Sequence, residues 1–388
     1  MSNCKSVYQP QEDSSLLERY VKQLAFGKVL DVGTGSGIQA IAAALNPRVK
    51  SVVTVDVQKE VIEYCKKCIK NRKIKFIQSD LFSNVKGKFD TIVFNPPYLP
   101  QELKLRDLTI EGGKHGYETI KKFLDEANGF LHENGIILMV FSSLTKKEKV
   151  EEFIGKNLLD FRELEKTHIF FEDIYAYVLK KNDLIKNLEN KRIKNVKYFS
   201  RGHRGILFKG NYKNKNAIIK SKNPKSEAIG RIQNEAKWLA KLNKHKIGPK
   251  LLIVDNKNSY FACEYLAGSF IGDYLERSGK KSIIKILKKT FAQLYALDRL
   301  KIDKEEMHHP LKHIIVRGNE PYLIDFERAH FSQNPKNVTQ FCQYMLRNHE
   351  LLKHKKINFD KEKIMEFAKI YKSNPSTNNF KKLAGLIK

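Results

Sequence analysis

The chain has 388 residues, a formal net charge of +29 and a pI of about 9.7. Hydrophobic residues make up 41% of it and aromatic residues 10%, which is enough to build folded cores and excludes a wholly disordered chain. The apolar run at 135–141 has the length of a strand, far below the roughly 20 residues of a membrane-spanning helix. The five cysteines do not suggest a disulfide framework, and the first residues do not resemble a signal peptide. We therefore expect a cytoplasmic protein without a membrane partner.

The basic charge predicts a polyanionic partner, because a field of this sign attracts the phosphates of RNA or of the ribosome. The basic residues are nevertheless spread along the sequence rather than gathered in one block. Lysine used freely on solvated faces would give the same net charge, so composition leaves both explanations open. The length of the chain favours two domains.

The first half alternates short apolar runs with longer amphipathic stretches. The predicted strands cover residues 28–32, 52–55, 89–94 and 135–141, and the predicted helices cover residues 38–45, 60–69 and 117–131. This alternation predicts βαβ units and therefore an α/β fold, with a mainly parallel sheet and helices on both of its faces. Ligands of such sheets bind at the carboxyl ends of the strands.

A glycine-rich turn, opened by Asp31, follows the first predicted strand. Its glycines Gly33, Gly35 and Gly37 let the backbone turn tightly and come close to a ligand. Several kinds of nucleotide-binding fold use glycine at this place. The turn therefore predicts a cofactor site, with Asp31 among the cofactor-binding residues, without naming the cofactor.

Two acidic residues at the ends of the next strands narrow the choice of cofactor. Asp56 ends the second strand, where a carboxylate can accept hydrogen bonds from both ribose hydroxyls of an adenosine. Asp80, within residues 78–82, ends a third strand that precedes the one at 89–94, and there it can pair with the adenine amino group. Either carboxylate alone could be an ordinary loop acid, but their succession at neighbouring strand ends indicates an adenosyl cofactor rather than a pyrophosphate-based one.

The segment Asn95-Pro96-Pro97-Tyr98 follows the fourth predicted strand, where methyl transfer from such a cofactor would take place. The two prolines fix the backbone and hold the asparagine amide at the strand end. The carbonyl oxygen of Asn95 can accept a hydrogen bond from an NH₂ group and orient its lone pair, while Tyr98 can stack on a flat substrate group. These residues predict methyl transfer to a planar amide or amine nitrogen, with catalysis mainly by positioning.

The motif at 95–98 and the glycine turn resemble those of two enzyme families, the N6-adenine methyltransferases and the HemK-type glutamine methyltransferases of translation release factors. Residues 7–14 resemble the N-terminal signature of the eukaryotic and archaeal branch of the HemK type, and residues 111–118 resemble its glycine-rich segment. The resemblance covers roughly residues 5–181. It favours the HemK type over the adenine enzymes.

Membership of that branch implies a class I, Rossmann-like methyltransferase domain over residues 1–182 with S-adenosylmethionine as cofactor. The resemblance implies that Tyr8 and Asp13 lie against the cofactor and the substrate, and that Asn95 contacts both. It also implies a substrate, the glutamine amide in the Gly-Gly-Gln loop of a release factor, and a small zinc-binding activator subunit as partner. Some relatives methylate lysine, so lysine and the N6 atom of adenine in DNA or tRNA stay as alternative acceptors.

A polar, lysine-rich stretch at 183–195 predicts a linker to a second domain over residues 196–388. Strand-like segments come first in that domain, and long helices follow after about residue 272. A turn with Gly202 and Gly205 could cover phosphates, Lys220 follows on a strand, and Glu235 stands on an amphipathic helix where it could hold that lysine. These are the parts of a kinase-type nucleotide site.

The order of these segments resembles the RIO and Bud-type atypical protein kinases over residues 196–350, which implies an α+β kinase-like domain binding ATP and Mg²⁺. In that comparison Glu264 belongs to the hinge that contacts adenine, and Asp325 is the catalytic, metal-binding aspartate. Glu327 stands where typical kinases have glycine.

The catalytic loop departs from the kinase pattern. On the simplest alignment His308 replaces the aspartate base and His313 replaces the metal-binding asparagine, which puts the metal role of His313 in doubt. Histidine can accept a proton, and Glu305 or Glu306 could take the role instead. A pseudokinase that serves as a scaffold or nucleotide sensor is the alternative to an active phosphotransferase.

Overall fold

The computed structural model describes residues 8–99, 112–169, 171–202, 204–223 and 230–388. The chain divides into two compact units, Met1–Lys197 and Tyr198–Lys388. Within the described ranges, every helix is too short or too polar to cross a membrane.

The first unit is built on a seven-stranded sheet in the order β3-β2-β1-β4-β5-β7-β6. Its strands are β1 Gly27–Val32, β2 Val49–Asp56, β3 Ile74–Gln78, β4 Phe89–Phe94, β5 Leu131–Ser142, β6 Leu159–Ile169 and β7 Glu172–Lys181. Its helices are α1 Glu12–Leu24, α2 Ile38–Leu45, α3 Lys59–Cys68, α4 Glu118–Phe130, α5 Lys147–Lys156 and α6 Asp183–Asn190. The first five strands in this order (β3, β2, β1, β4 and β5) are parallel to one another, whereas β7 runs antiparallel to both of its neighbours, β5 and β6.

Both faces of this sheet are covered, because successive side chains of each strand point to opposite sides. Leu30 of β1 joins a core that includes Phe94 and residues of α4 and α5, and its neighbour Val29 joins a second core with residues of α1 and α2. Leu17 and Val21 of α1 are fully buried in that second core. This packing fixes the first turn of α1 close to the carboxyl end of β4, where Asn95 follows.

The predicted linker at 183–195 differs from the structure. Residues 183–190 form α6, capped by the side chain of Asn182, which accepts a hydrogen bond from the Ile185 backbone N–H at 3.0 Å. Ile185 and Leu188, three residues apart, are buried on one face of this helix. The polar residues that suggested a linker lie on the other faces of α6. The division between the two units falls after residue 197.

The second unit begins with a five-stranded sheet in the order β11-β12-β10-β9-β8. These strands are β8 Ile193–Arg201, β9 Gly205–Tyr212, β10 Lys215–Lys222, β11 Leu251–Asp255 and β12 Tyr260–Glu264, with α7 Arg231–Asn243 between β10 and β11. The pairings of β9, β10, β11 and β12 are antiparallel.

The rest of the second unit is mainly helical. Its helices are α8 Ile271–Arg277, α9 Lys280–Arg299, α10 Asn337–Arg347, α11 His349–His354, α12 Lys361–Ser373 and α13 Thr377–Gly385, and its short strands are β13 Ser269–Phe270, β14 Ile302–Asp303, β15 Ile314–Arg317, β16 Glu320–Leu323 and β17 His330–Phe331. Helix α9 buries an apolar stripe, which includes Ile283, Leu287 and Phe291, at the centre of a core that also takes residues of α7 and α10. The unit therefore combines an antiparallel sheet with a mainly helical part.

Candidate active site

A cavity of about 510 Å³ lies at the carboxyl ends of the parallel strands of the first unit, within the usual size range of ligand pockets. Most of the predicted site residues of this unit line it: Tyr8, Asp13, Gly33, Gly35, Asp56, Asp80, Asn95, Pro96, Pro97 and Tyr98. Asp31 and Gly37 support the cavity from behind its wall. Val7 and Glu111, the first residues of the two signature segments, lie outside the described residues.

The glycine turn takes a backbone conformation that other residues adopt at a cost. Gly35 has φ +50° and Gly37 has φ +83°, both in the left-handed region. A Cβ on Gly37 would lie 2.3 Å from the Cδ1 atom of Ile69, so the start of α2 packs against this side chain because residue 37 has none. The turn holds the exposed backbone of residues 33–36 against the cavity.

Asp31 supports the turn and does not reach the cavity. Its Oδ2 atom accepts hydrogen bonds from the hydroxyls of Thr34, at 2.7 Å, and Thr54, at 2.9 Å. Its side chain is fully buried, and burial raises the pKa of Asp31 to about 6. The carboxylate therefore orders the polypeptide around the site.

Asp56 and Asp80 stand at the ends of β2 and β3 and line the cavity. Asp56 accepts hydrogen bonds from the backbone N–H groups of Gly35, at 3.2 Å, and Gln58, at 3.0 Å. Burial raises the pKa of Asp56. Asp80 is exposed. The strand order places the two carboxylates on adjacent strands, where they can receive the ribose and the adenine of one adenosine.

Asn95 lines the cavity, and the two ends of its side-chain amide have different surroundings. Its Nδ2 group donates to Asp13 Oδ2 at 3.0 Å and to Ser14 Oγ at 3.2 Å. Its Oδ1 atom is buried and has no hydrogen-bond partner among the described residues. A buried acceptor without a partner is costly, so this oxygen is fitted to receive an N–H group of a ligand.

Two tyrosines share the carboxylate of Asp13. The hydroxyl of Tyr8 donates to Asp13 Oδ1 at 3.1 Å, and that of Tyr98 donates to Asp13 Oδ2 at 3.3 Å. Burial, together with the charge of Asp13, raises the pKa of both phenols far above the neutral range. Both phenols are therefore neutral hydrogen-bond donors, and both residues line the cavity together with Asn95.

The cavity wall also contains residues that the sequence did not single out, and Gln39 and Glu172 are two polar ones among them. Gln39 donates from Nε2 to the backbone oxygen of Ser14 at 2.9 Å, and its Oε1 atom is buried without a partner in the described structure. A single polar residue in the apolar, alanine-rich stretch 38–45 was the available signal. Glu172 is the first residue of β7 and contacts Ser142 at the end of β5. It reaches the site through the pairing of strands that are distant in sequence, so no local sequence motif could have predicted it.

In the second unit, Lys220 lies in a cluster of carboxylates. Its Nζ atom is 2.5 Å from Glu235 Oε2, 3.2 Å from Asp325 Oδ1 and 3.8 Å from Glu327 Oε2. Burial alone would lower the pKa of Lys220, but Glu235 and Asp325 raise it well above its usual value. Burial raises the pKa of Glu235, and for Asp325 the charge of Lys220 outweighs burial and lowers the pKa. The predicted lysine, helix glutamate and aspartate are thus brought together.

The turn between β8 and β9 lies over this cluster. A Cβ on Gly205 would be 3.3 Å from the Cε atom of Lys220, and the Gly202 N–H donates to the Gly205 oxygen at 2.9 Å. Arg204 of the same turn pairs with Glu327. His203 lies outside the described residues. Glu264, at the end of β12, accepts a hydrogen bond from the backbone N–H of Lys250 at 3.1 Å.

The histidines of the predicted catalytic loop have different surroundings. His313 Nε2 is 3.3 Å from Glu306 Oε2, and its Nδ1 atom is 3.4 Å from the Nζ atom of Lys304. Lys304 also donates to the backbone oxygen of Asp325 at 3.0 Å, and burial lowers its pKa to about 8. The ring of His308 packs against His309, with centroids 4.7 Å apart. The carboxylate beside His313 is therefore that of Glu306, the alternative to His308 in the alignment.

The comparisons with known proteins agree with the geometry of the first unit. The family model of the methyltransferase small domain matches residues 8–171. A candidate protein N5-glutamine methyltransferase of Methanocaldococcus jannaschii is 38% identical over 154 residues, which cover 38% of this chain and 78% of that protein. The chain belongs to the protein N5-glutamine methyltransferase family. It is thus a relative of enzymes that use S-adenosylmethionine, and the family model ends within the first unit.

More distant relatives match over the same length of chain. The release factor glutamine methyltransferase of Haemophilus influenzae is 28% identical over 176 residues, and the match spans 60% of that protein. Among solved structures, the E. cuniculi Mtq2-Trm112 complex, described as methylating the eRF1 translation termination factor, is 26% identical with a TM-score of 0.38. That match covers 46% of this chain and 99% of the matched chain.

Proposed function

We propose that the first unit methylates the side-chain amide of the glutamine in the Gly-Gly-Gln loop of a translation release factor. The observation that carries the proposal is the buried, unpartnered Oδ1 atom of Asn95, which lines the cavity beside Tyr98. A primary amide offers the N–H donor that this oxygen needs. Relatives named release factor glutamine methyltransferases support the choice of substrate.

In this reaction the protein mainly has to position the substrate amide against the methyl group of the cofactor. S-adenosylmethionine, when bound, supplies an activated methyl group on a sulfonium. Asn95 Oδ1 accepts one N–H of the substrate amide, which turns the nitrogen lone pair towards the methyl carbon, and the ring of Tyr98 lies against the flat amide group. The glycine turn, Asp56 and Asp80 would hold this cofactor, which would supply its methyl group to the amide nitrogen and leave as the neutral thioether. The nitrogen would then pass one proton to solvent water, which gives the neutral methylamide.

Lysine and adenine are the acceptors against which this proposal must be tested. A lysine ammonium has to lose a proton before its nitrogen can attack, and the two phenols of the site are held protonated. Glu172, which lines the same cavity, could take that proton from an ammonium. The adenine amino group is planar like an amide, and the positive charge of the chain suits DNA or tRNA.

The experiment is transfer of labelled methyl from S-adenosylmethionine to purified release factor, with tRNA and DNA as competing acceptors. We expect label on the release factor, lost when the loop glutamine is substituted and lost in Asn95→Ala. Label confined to nucleic acid, or label on a lysine of the factor, would overturn the glutamine proposal. Asn190→Ala on α6, distant in sequence from the site, is the matched control for an asparagine substitution.

We propose two partners in addition to the substrate. The resemblance to the eukaryotic and archaeal branch favours a small zinc-binding activator subunit. The net charge of +29 favours transient association with RNA or the ribosome, in the cytoplasm. Transfer assays with and without the activator, and at low and high salt with ribosomes added, test these partners separately.

For the second unit we propose binding of ATP with Mg²⁺, as in the RIO and Bud-type kinases. The specific observation in its favour is the meeting of Lys220, Glu235 and Asp325 beneath a glycine-containing turn. One carboxylate oxygen each from Glu235, Asp325 and Glu327 lie within 4.8 Å of one another, a set of oxygen ligands that suits a hard divalent cation. Lys220 would then bind phosphate, and Glu306 is the carboxylate placed to receive the proton of an acceptor hydroxyl.

Nucleotide binding and phosphate transfer are separated by Asp325→Ala. A phosphotransferase loses transfer in this variant, whereas a pseudokinase scaffold keeps its partners. Binding of a fluorescent ATP analogue to the full chain, with and without Mg²⁺, is measured first. Absence of binding in the wild-type chain, at concentrations up to millimolar, would contradict a nucleotide site altogether.

A further inference from the structure

Two side-chain amides of the methyltransferase cavity, those of Asn95 and Gln39, both point their NH₂ groups at the first turn of α1. Asn95 and Gln39 both line the cavity, and both leave a buried carbonyl oxygen without a partner among the described residues. Both also donate their N–H groups to the same short segment, Asp13 and Ser14, in the first turn of α1. The first turn of α1 thus binds the NH₂ groups of both amides. Their carbonyl oxygens remain for a ligand.

The carboxylate of Asp13 determines which way the amide of Asn95 points. An ionised carboxylate only accepts hydrogen bonds, so the NH₂ group of Asn95 must face it. Rotating the amide by half a turn would bring Oδ1 against the carboxylate of Asp13 and lose the hydrogen bond to it. Asp13 is 4% exposed and also accepts from two phenols and from the Ser14 backbone N–H, so it is held in place itself.

The backbone oxygen of Ser14 acts in the same way on Gln39, because a carbonyl oxygen also only accepts. It holds the Nε2 group of Gln39 at 2.9 Å and leaves Oε1 available. Gln39 is 4% exposed and stands on the first turn of α2, directly after the glycine turn. Its free oxygen therefore needs a donor from outside the described protein residues.

The strand order shows which part of the cofactor would supply that donor. In the order β3-β2-β1-β4, Asp80 follows β3 and Asp56 ends β2, and this is the adenosine side. Gln39 is tied instead to Ser14 and, through it, to Asn95 after β4, which is the methyl-transfer side. The donor that S-adenosylmethionine carries on that side is the ammonium of its methionine part. The nearby carboxylate of Asp31 accepts hydrogen bonds from Thr34 and Thr54 and lies outside the cavity wall.

We propose that Gln39 Oε1 binds the ammonium group of S-adenosylmethionine, and that Asp13 is the positioning residue that keeps Asn95 Oδ1 directed at the acceptor nitrogen. The first turn of α1 thereby aligns the cofactor and the acceptor through two amides. The part concerning Asp13 rests on the proposed role of Asn95. The part concerning Gln39 depends only on cofactor binding.

The test of Gln39 uses two ligands and the full-length chain. Affinity for S-adenosylhomocysteine and for its desamino analogue is measured by calorimetry in wild type and in Gln39→Leu. We expect about tenfold to a hundredfold weaker binding of S-adenosylhomocysteine in the variant, the usual range for a lost hydrogen bond to a charged group, with the analogue nearly unchanged. An equal change for both ligands, or none for either, overturns the proposal.

The chain offers a matched control for this substitution. Gln293 of α9 is half-buried, donates from Nε2 to the Pro321 oxygen at 2.7 Å and, like Gln39, has a buried Oε1 atom without a described partner. It belongs to the second unit. Gln293→Leu is expected to leave both affinities as in the wild type. A matching loss in Gln293→Leu would show that the effect in Gln39→Leu is a general result of losing a buried amide, and would also overturn the proposal.

The test of Asp13 is Asp13→Asn, which keeps the size of the side chain but offers a donor to Asn95 and lets its amide rotate. We expect kcat to fall about tenfold or more, while KM for the acceptor and affinity for S-adenosylhomocysteine stay within about twofold. Glu12→Gln removes a carboxylate from the same turn on the exposed side and should leave kcat unchanged. An unchanged kcat in Asp13→Asn, or a loss carried by KM or cofactor affinity, would overturn the positioning role. If the wild-type chain methylates none of the acceptors, the proposed function fails, and the binding test of Gln39 still stands.

Discussion

Thr34 donates its hydroxyl to Asp31 Oδ2 at 2.7 Å, from the second residue of the glycine turn back to the strand that precedes it. Thr54 of β2 donates to the same oxygen at 2.9 Å. Asp31 was predicted to bind the cofactor, but this carboxylate is buried behind the cavity wall and joins β1, β2 and the turn. The acid at this position therefore contributes to the shape of the cofactor site through the polypeptide.

The burial of Asp31 has a measurable effect on the pH dependence of stability. Its pKa is raised from 3.8 to about 6, so between these values the folded chain binds more protons than the unfolded chain. Stability contributed by this group is therefore full below about pH 4 and is lost as the pH rises towards 6, by about 3 kcal/mol in total. Chemical unfolding of wild type and Asp31→Asn from pH 4 to 7 should show a difference that varies with this sign. A pH-independent difference would contradict it.

Gly37→Ala should destabilise the first unit by about 1–2 kcal/mol or more, because the residue has φ +83° and the new Cβ would lie 2.3 Å from Ile69 Cδ1. Gly155, in α5, has open space at its Cβ position and serves as the control. Gly155→Ala is expected to raise stability by up to about 1 kcal/mol. Thermal unfolding of both variants makes the comparison, and equal effects would contradict a special role for Gly37.

Tyr98→Phe should reduce kcat modestly, by about two- to tenfold, since it keeps the ring beside Asn95 and removes one hydrogen bond to Asp13. Tyr98→Ala removes the ring as well and should cost more. Because the pKa of this phenol is raised well above its usual value, wild-type kcat should not fall through ionisation of Tyr98 up to about pH 9. The pH profiles of wild type and Tyr98→Phe should therefore have the same shape in that range, and a loss present only in the wild type would contradict it.

Lys220→Ala should destabilise the second unit by about 3–5 kcal/mol, because it leaves Glu235 buried without its partner. The side chains of Lys220 and Glu235 are 16% and 7% exposed, so water does little to compensate. Lys289 pairs with Glu320 at the surface, and Lys289→Ala is the control, with a loss of at most about 1 kcal/mol. Denaturant unfolding with a probe in the second unit measures both. Similar losses would show that the Lys220 pair is no stronger than a surface pair.

Much of the first unit follows from local pattern. The apolar runs at 28–32 and 89–94 became β1 and β4 to within one residue, and the motifs after them meet in one cavity because the carboxyl ends of parallel strands share an edge. The antiparallel end of the sheet, β6 and β7, was not predicted, and this is why Glu172 was missed. The helix at 183–190 was taken for a linker because two buried residues in eight give a weak signal.

In the second unit, the sequence predicted that Lys220, Glu235 and Asp325 lie together, but it did not determine which side chains of residues 305–313 meet. Alignment by position favoured His308, whereas the backbone puts Glu306 next to His313. Glu305 and Glu306 both have positive φ. This backbone conformation is uncommon for glutamate and cannot be predicted from the residue type, yet it affects which side chain points towards His313. Side-chain direction in such a loop depends on the fold around it.

The measurement that tests the central claim most directly is the position of the methyl group on the product. Release factor is incubated with the full-length chain, the activator subunit and S-adenosylmethionine, and its peptides are mapped by mass spectrometry. We predict one added methyl on the side chain of the glutamine in the Gly-Gly-Gln peptide, present with wild type and reduced about 100-fold or more in Asn95→Ala. A methyl group on lysine, or an unmodified glutamine while nucleic acid is methylated, would contradict the assignment of Asn95 to a glutamine amide.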